Sequence, residues 1–231
     1  MPQEYLDFLA RREQEDQWSF FDLAGCPREL VVYLYELADL ANQKEIGSSM
    51  KWLSFNMAPV FEVENKIAGW VNNLATPSSH DEEHEEPISD EQAEWEFHIS
   101  QDRYHCTEAW RHALLLYIER VFKCNGHRKR RPRKISRLTR LTLDHVRCGR
   151  QTSQTQKQLL LPVFLAGSET GDGAMREFVK EYCEYWAVKT RYEMFNTVAA
   201  LLDEIWAAEG WWGTVIDRKT RPAAGTQFLF G

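Results

Sequence analysis

Apolar residues recur at helical spacing along the long segments of this chain, and that rhythm restricts the fold to packed helices. Within residues 30–41, Leu30, Val31, Leu34, Leu37, Ala38 and Ala41 share one face, behind Pro27 at a position where a helix start tolerates proline. Val60, Val63, Ile67, Trp70, Val71 and Leu74 repeat the pattern after Pro59. Residues 110–122 are apolar over much of the helix circumference, which predicts burial on more than one side, and Gly126 is placed to close that helix. A further face carries Ile135, Leu138, Leu141, His145 and Val146, interrupted by the polar Thr142 and stopped at Gly149. Met175, Phe178, Val179, Tyr182 and Trp186 mark another helix, and Val198, Leu201, Leu202 and Ile205 one more before Gly210. No alternating strand of comparable length competes with these segments. The expected fold is all-α, a single helical domain over residues 1–231 with about eight to ten packed helices.

Composition narrows the function classes. With 231 residues, 43% of them apolar, nine Trp and twelve Phe, the chain can fill a sizeable core. Its longest apolar run is about ten residues, half of the roughly 20 that a spanning helix needs. The acidic N-terminus lacks the basic-then-apolar pattern of a signal peptide, so neither membrane insertion nor secretion is expected. Cys26, Cys106, Cys124, Cys148 and Cys183 are odd in number and widely spaced, against a disulfide framework or a zinc cluster, and a reducing compartment follows. A net charge of −7 disfavours a bare nucleic-acid binder, because duplex DNA is held largely by neutralising its phosphates.

The stretch LLLPVFLAGSE, residues 159–169, tests whether a proline can sit inside a buried helix. Ser153 with Gln156 reads as a capping box, so a helix is expected from about Gln154. Pro162 then costs one hydrogen bond and a kink, about 3 kcal/mol, which burial of Leu159, Leu160, Val163, Phe164 and Leu165 offsets. Gly167 is expected to end it.

Catalytic and metal patterns are sparse. Residues 167–171, GSETG, lack the serine in third position and the preceding strand of a nucleophile elbow, and GSETGDG lacks the GK[ST] ending of a phosphate loop. His98, His105, Cys106 and His112, or Cys124 with His127, have no paired ligand spacing, so no metal or other cofactor is expected in this chain. No motif groups a nucleophile, a base and an orienting residue, so an enzyme is not expected. Trp186, Tyr192, Phe195, Trp206, Trp211 and Trp212 have two readings: helix core, or the wall of a ligand or partner site. The helices are expected to end at Gly210 and give way to the Trp pair and a loose tail, residues 221–231, whose Phe228, Leu229 and Phe230 either fill a groove or border that site.

Two polar runs interrupt the helices. Residues 80–96 hold nine carboxylates and a proline; an exposed acidic loop is expected over residues 77–88, and Ser89 with Gln92 reads as a capping box for the next helix. The run HRKRRPRK, residues 127–134, carries Arg128, Lys129, Arg130, Arg131, Arg133 and Lys134. Three readings stand beside one another: a solvated helix connection, a nuclear-import signal or phosphate contact, and a partner for the acidic loop of the same chain. Nuclear import is the reading carried forward.

The order of certain segments resembles a known family. LLLPVFLAGSE, the following MREFV helix and FNTVAALLDEIW resemble the C-terminal signature of the fungal-specific transcription factor domain, the regulatory region of binuclear zinc-cluster activators. AGCPRELVVYLYELADLA and AWRHALLLYIERVF resemble that family's earlier helices. Members usually carry a tryptophan before the proline and a cysteine after the glycine, where this chain has Leu161 and Ser168. The resemblance implies an all-helical, non-enzymatic nuclear domain that forms homodimers or binds other transcription regulators, with a small apolar ligand as a further partner. It also implies that zinc and DNA contact belong to a six-cysteine cluster that this chain does not contain. The alternative is a structural scaffold that uses the same helical domain without a transcriptional role.

Overall fold

The computed structural model describes residues 20–49, 54–72, 90–124, 132–208 and 210–220. Within them the chain forms nine α-helices and no strand. These are α1 (Phe20–Ala24), α2 (Arg28–Ser49), α3 (Ala58–Gly69), α4 (Asp90–Ile118) and α5 (Arg133–Cys148). They are followed by α6 (Leu160–Glu169), α7 (Gly173–Thr190), α8 (Glu193–Ala208) and α9 (Trp212–Thr220). A π-helical turn, Glu119–Lys123, continues α4, and a 3-10 segment, Gln154–Leu159, leads into α6. The all-α expectation holds among the described residues. No helix there is long and apolar enough to cross a membrane.

The run around Pro162 is the centre of the fold. Every residue of α6 except Leu161 is buried, and α4, α5, α7 and α8 all pack against it. The kink expected at Pro162 does not arise, because α6 begins at Leu160 and the proline sits in its first turn. There its missing N–H has no intrahelical carbonyl to lose. The expected capping box is also replaced: Gln156 turns away from Ser153 and donates its Nε2 to Val146 O at 2.8 Å. Pro162→Ala is therefore expected to destabilise the domain by about 2 kcal/mol, from lost buried methylenes and a freer unfolded chain. Urea denaturation measures this; a gain of stability would put the proline in a helix interior after all.

Gly167 does not end α6, which runs on to Glu169. Its role is close approach: a Cβ there would sit 3.1 Å from Cγ1 of Val179 on α7 and 3.4 Å from Cδ1 of Leu202 on α8. The indole of Trp206 donates to the Gly167 carbonyl at 2.9 Å, fixing α8 against the same point.

Other helix ends differ from the periodicity reading for local reasons. The stripe through Trp70, Val71 and Leu74 breaks at Gly69, where Trp70 turns extended (φ −66°, ψ 130°). Val71 is exposed, and Asn72 donates to Tyr104 O at 3.2 Å, tying the departing chain to α4; Leu74 lies outside the described residues. On α5 the threonines face inward: Thr139 and Thr142 are buried beside Leu138 and Leu143. Thr142 Oγ1 donates to Leu138 O at 2.9 Å, so a polar residue enters the core with its hydrogen bond made inside its own helix. Leu141 and His145, expected on the core face, are only half-buried.

Helices do not end at Gly210: Trp212 opens α9, which runs to Thr220. Val215 is buried there, and Arg218 and Lys219 complement the negative end of the helix dipole. The acidic loop at 77–88, Ser89, Gly126 and residues 221–231, with Phe228, Leu229 and Phe230, lie outside the described residues.

Candidate functional site

A cleft of about 570 Å³ opens where α2, the α4–π junction and α9 meet. On α2 the small side chains of Ala38 and Ala41 leave the space, and Trp211 and Trp212 line it from the start of α9. Trp212 is tilted on Tyr117 at 6.2 Å and edge-on to the core residue Phe164 at 5.9 Å. Trp211 packs on Trp212 at 5.8 Å and lies across Gly213, where a Cβ would meet its ring at 2.6 Å. Any other residue at 213 would push the indole off its seat. The indole nitrogen of Trp211 is buried without a hydrogen-bond partner.

Two cations line the cleft, and both are engaged. Lys44 Nζ donates to the carbonyls of Val121 (2.6 Å) and Phe122 (3.3 Å), which the π turn leaves without α-helical partners. Burial lowers its pKa. Arg120 Nε donates to Glu169 Oε1 at 2.6 Å, with both side chains largely buried, and its guanidinium lies 5.9 Å from the Trp211 ring. Burial pushes the Tyr117 phenol up to about 12, so it stays protonated and able to donate. The cleft therefore offers the aromatic surface of Tyr117, Trp211 and Trp212 beside the polar side chains of Asn42, Glu45, Ser48 and Asp217.

The six aromatic residues singled out in the sequence do not converge. Trp186 and Phe195 are each 1% exposed, in the core; Tyr192 is exposed; Trp206 is half-buried under Arg176 and Lys180. Only Trp211 and Trp212 of that set line the cleft. Other lining residues, among them Ala38, Ala41, Lys44, Tyr117 and Arg120, carry no motif: the alanines read as an ordinary helix face, and the other three gain meaning only from neighbours distant in sequence.

Part of the basic run is already committed within the chain. Lys134 pairs with Glu64 (3.1 Å) and Glu119 (2.6 Å), and Lys123 pairs with the same two carboxylates at 2.6 and 2.8 Å. This alternating set joins α3, the π turn and α5. Arg133 is exposed, and Arg128, Lys129, Arg130 and Arg131 lie outside the described residues.

A second polar grouping sits between α4 and α5. His105, Glu108 and His112 fall on one stripe of α4 at spacings of three and four residues, and His145 faces them from α5. Nδ1 of His105 lies 3.0 Å from Nδ1 of His145, whose ring stacks on His112 at 5.5 Å. Burial lowers the pKa of all three imidazoles, His112 to about 4 with Arg111 adding repulsion, so they are neutral at pH 7. Burial alone would raise Glu108, but hydrogen bonds from Arg111 and Asn72 and the charge of Arg111 hold its carboxyl below the usual range.

Fold and cleft define an all-α module whose cavity is lined by aromatic rings. A family model described as the fungal specific transcription factor domain matches residues 2–218. The chain belongs to that family, which gives it a regulatory role in fungal transcription. No curated protein and no solved structure matches it.

Proposed function

We propose that this chain is the effector domain of a zinc-cluster transcription factor, and that its output is set by what occupies the Trp211–Trp212 cleft. The family match over residues 2–218 carries the regulatory half of this reading. The cleft supports the other half: its volume of about 570 Å³ falls in the range of small-molecule sites, and its rings are rigid surfaces that lose little entropy on binding. The fitting occupant is a small apolar metabolite with one acceptor for the Tyr117 hydroxyl or the Trp211 indole N–H. Protein contact, in a homodimer or with other transcription regulators, is the output that such binding would bias. DNA contact is assigned to a zinc cluster outside this sequence. Nuclear entry is assigned to the basic run, falling on Arg128, Lys129, Arg130, Arg131 and Arg133, since Lys134 is held by carboxylates.

The test is a reporter assay in a fungal cell, with residues 1–231 fused to an unrelated DNA-binding domain. Filling the cleft with Ala38→Trp is expected to change reporter output by about fivefold, a common size for coupling between a ligand site and an output. The melting temperature of the purified domain should stay within a few degrees of the parent. A fusion whose output equals that of the DNA-binding domain alone, or one indifferent to Ala38→Trp, would sink the proposal.

A further inference from the structure

We propose that Glu108, His112 and His145 form a binding site for a divalent first-row transition ion, with Zn2+ as the fitting occupant. One ring nitrogen from each of these two imidazoles and one carboxylate oxygen lie within 4.8 Å of one another. Two imidazoles and a carboxylate are a donor set that Zn2+ accepts, leaving a fourth position for water or an exogenous ligand. Small side-chain rotations bring such a group to the roughly 3.3 Å ligand separations of a tetrahedral ion.

An independent observation points the same way. His112 is 9% exposed, and its Nδ1 is buried with no hydrogen-bond partner, while its Nε2 stands 3.7 Å from Glu108 Oε2, too far for a hydrogen bond. An imidazole buried this deeply ordinarily satisfies both nitrogens. Here Nδ1 is left unmatched within the protein, and an ion held by this ring would supply the missing interaction. The His145 ring is already oriented, through the 3.0 Å contact with His105, as ligating histidines ordinarily are by a second partner. Arg111 does not close the site: its two donors both go to Glu108 Oε2, at 2.9 and 2.7 Å, leaving Oε1 with the Asn72 amide at 3.3 Å. Its charge weakens the affinity without removing a ligand.

The site would clamp α4 to α5, the helices flanking α6, so ion binding would stiffen the domain. The measurement uses the whole chain stripped with a chelator and titrated with Zn2+ against a chromophoric competitor, followed by zinc X-ray absorption. Expected are one ion per chain, a melting temperature raised by about 5 °C at saturating Zn2+, and a first shell of nitrogen and oxygen with imidazole scattering. His112→Gln and Glu108→Gln should each weaken binding by about tenfold or more. Sulfur in the first shell, as from Cys124 or Cys148, substoichiometric binding, or unchanged affinity in both variants would overturn the proposal. Should a variant lose its helical circular dichroism, the absorption spectrum of the parent protein decides alone.

Discussion

Replacing Arg120 by Met is expected to cost the domain about 3–5 kcal/mol, because it leaves the carboxylate of Glu169 in the interior without its guanidinium. Glu169 is 5% exposed, at the last residue of the buried helix α6, and Arg120 reaches it from the π turn that ends α4. The two charges are held at 2.6 Å, Nε to Oε1. The cost belongs to the buried carboxylate's loss of its guanidinium more than to the pair itself, since a buried pair roughly repays its own desolvation. Arg120→Met with Glu169→Leu should therefore recover most of the loss, and a double-mutant cycle in urea separates the two contributions. A single-variant loss under about 1 kcal/mol would mean that the pair behaves like a surface contact. The same substitution removes the cation beside Trp211, so a shift in tryptophan emission should accompany the loss of stability.

Helix existence was legible for the long described helices, because burial on one face leaves a period of 3.6 that survives without any tertiary information. Helix ends were less legible, since they depend on what the terminal groups meet. Pro162 reads as an interior kink until α6 is seen to start at Leu160, and Gly167 reads as a stop until Val179 and Leu202 are seen to need its missing side chain. Thr142 breaks the apolar stripe of α5, yet it is core, since it meets its hydrogen-bond demand on Leu138. For α9 the apolar positions are too few to show a period.

The cleft was half legible. Trp211 and Trp212 stood out as adjacent large rings, but a cavity is defined by the absence of side chains, and Ala38 and Ala41 announce nothing. The histidine grouping was illegible for a different reason. His105, Glu108 and His112 share a helical stripe, but His145 joins them only because α4 packs against α5, so no sequence spacing could encode the set. Of the basic run, Lys134 is tied to Glu64 and Glu119, partners remote in sequence that charge density alone does not reveal.

Phe164→Ala is expected to destabilise the domain by about 3–5 kcal/mol, lowering the melting temperature by roughly 6–20 °C for a chain of this size. Phe164 is 1% exposed and sits in the middle of α6, where α4, α5, α7 and α8 converge, so the walls of the cavity belong to several helices that cannot all move in. Incomplete collapse puts the cost towards the upper part of the range for a buried aromatic. The ring also meets Trp212 edge-on at 5.9 Å, which makes it the link between the core and the cleft. Its loss should let the Trp212 indole reorient, so that tryptophan emission changes under conditions where the domain is still folded. Phe164→Leu keeps most of the volume and should cost about half as much, with a smaller change in emission. Chemical denaturation of the three proteins decides the matter. If Phe164→Ala proves within about 1 kcal/mol of the parent yet abolishes reporter output, the residue acts on function directly, and its place as the packing centre of α6 must be abandoned.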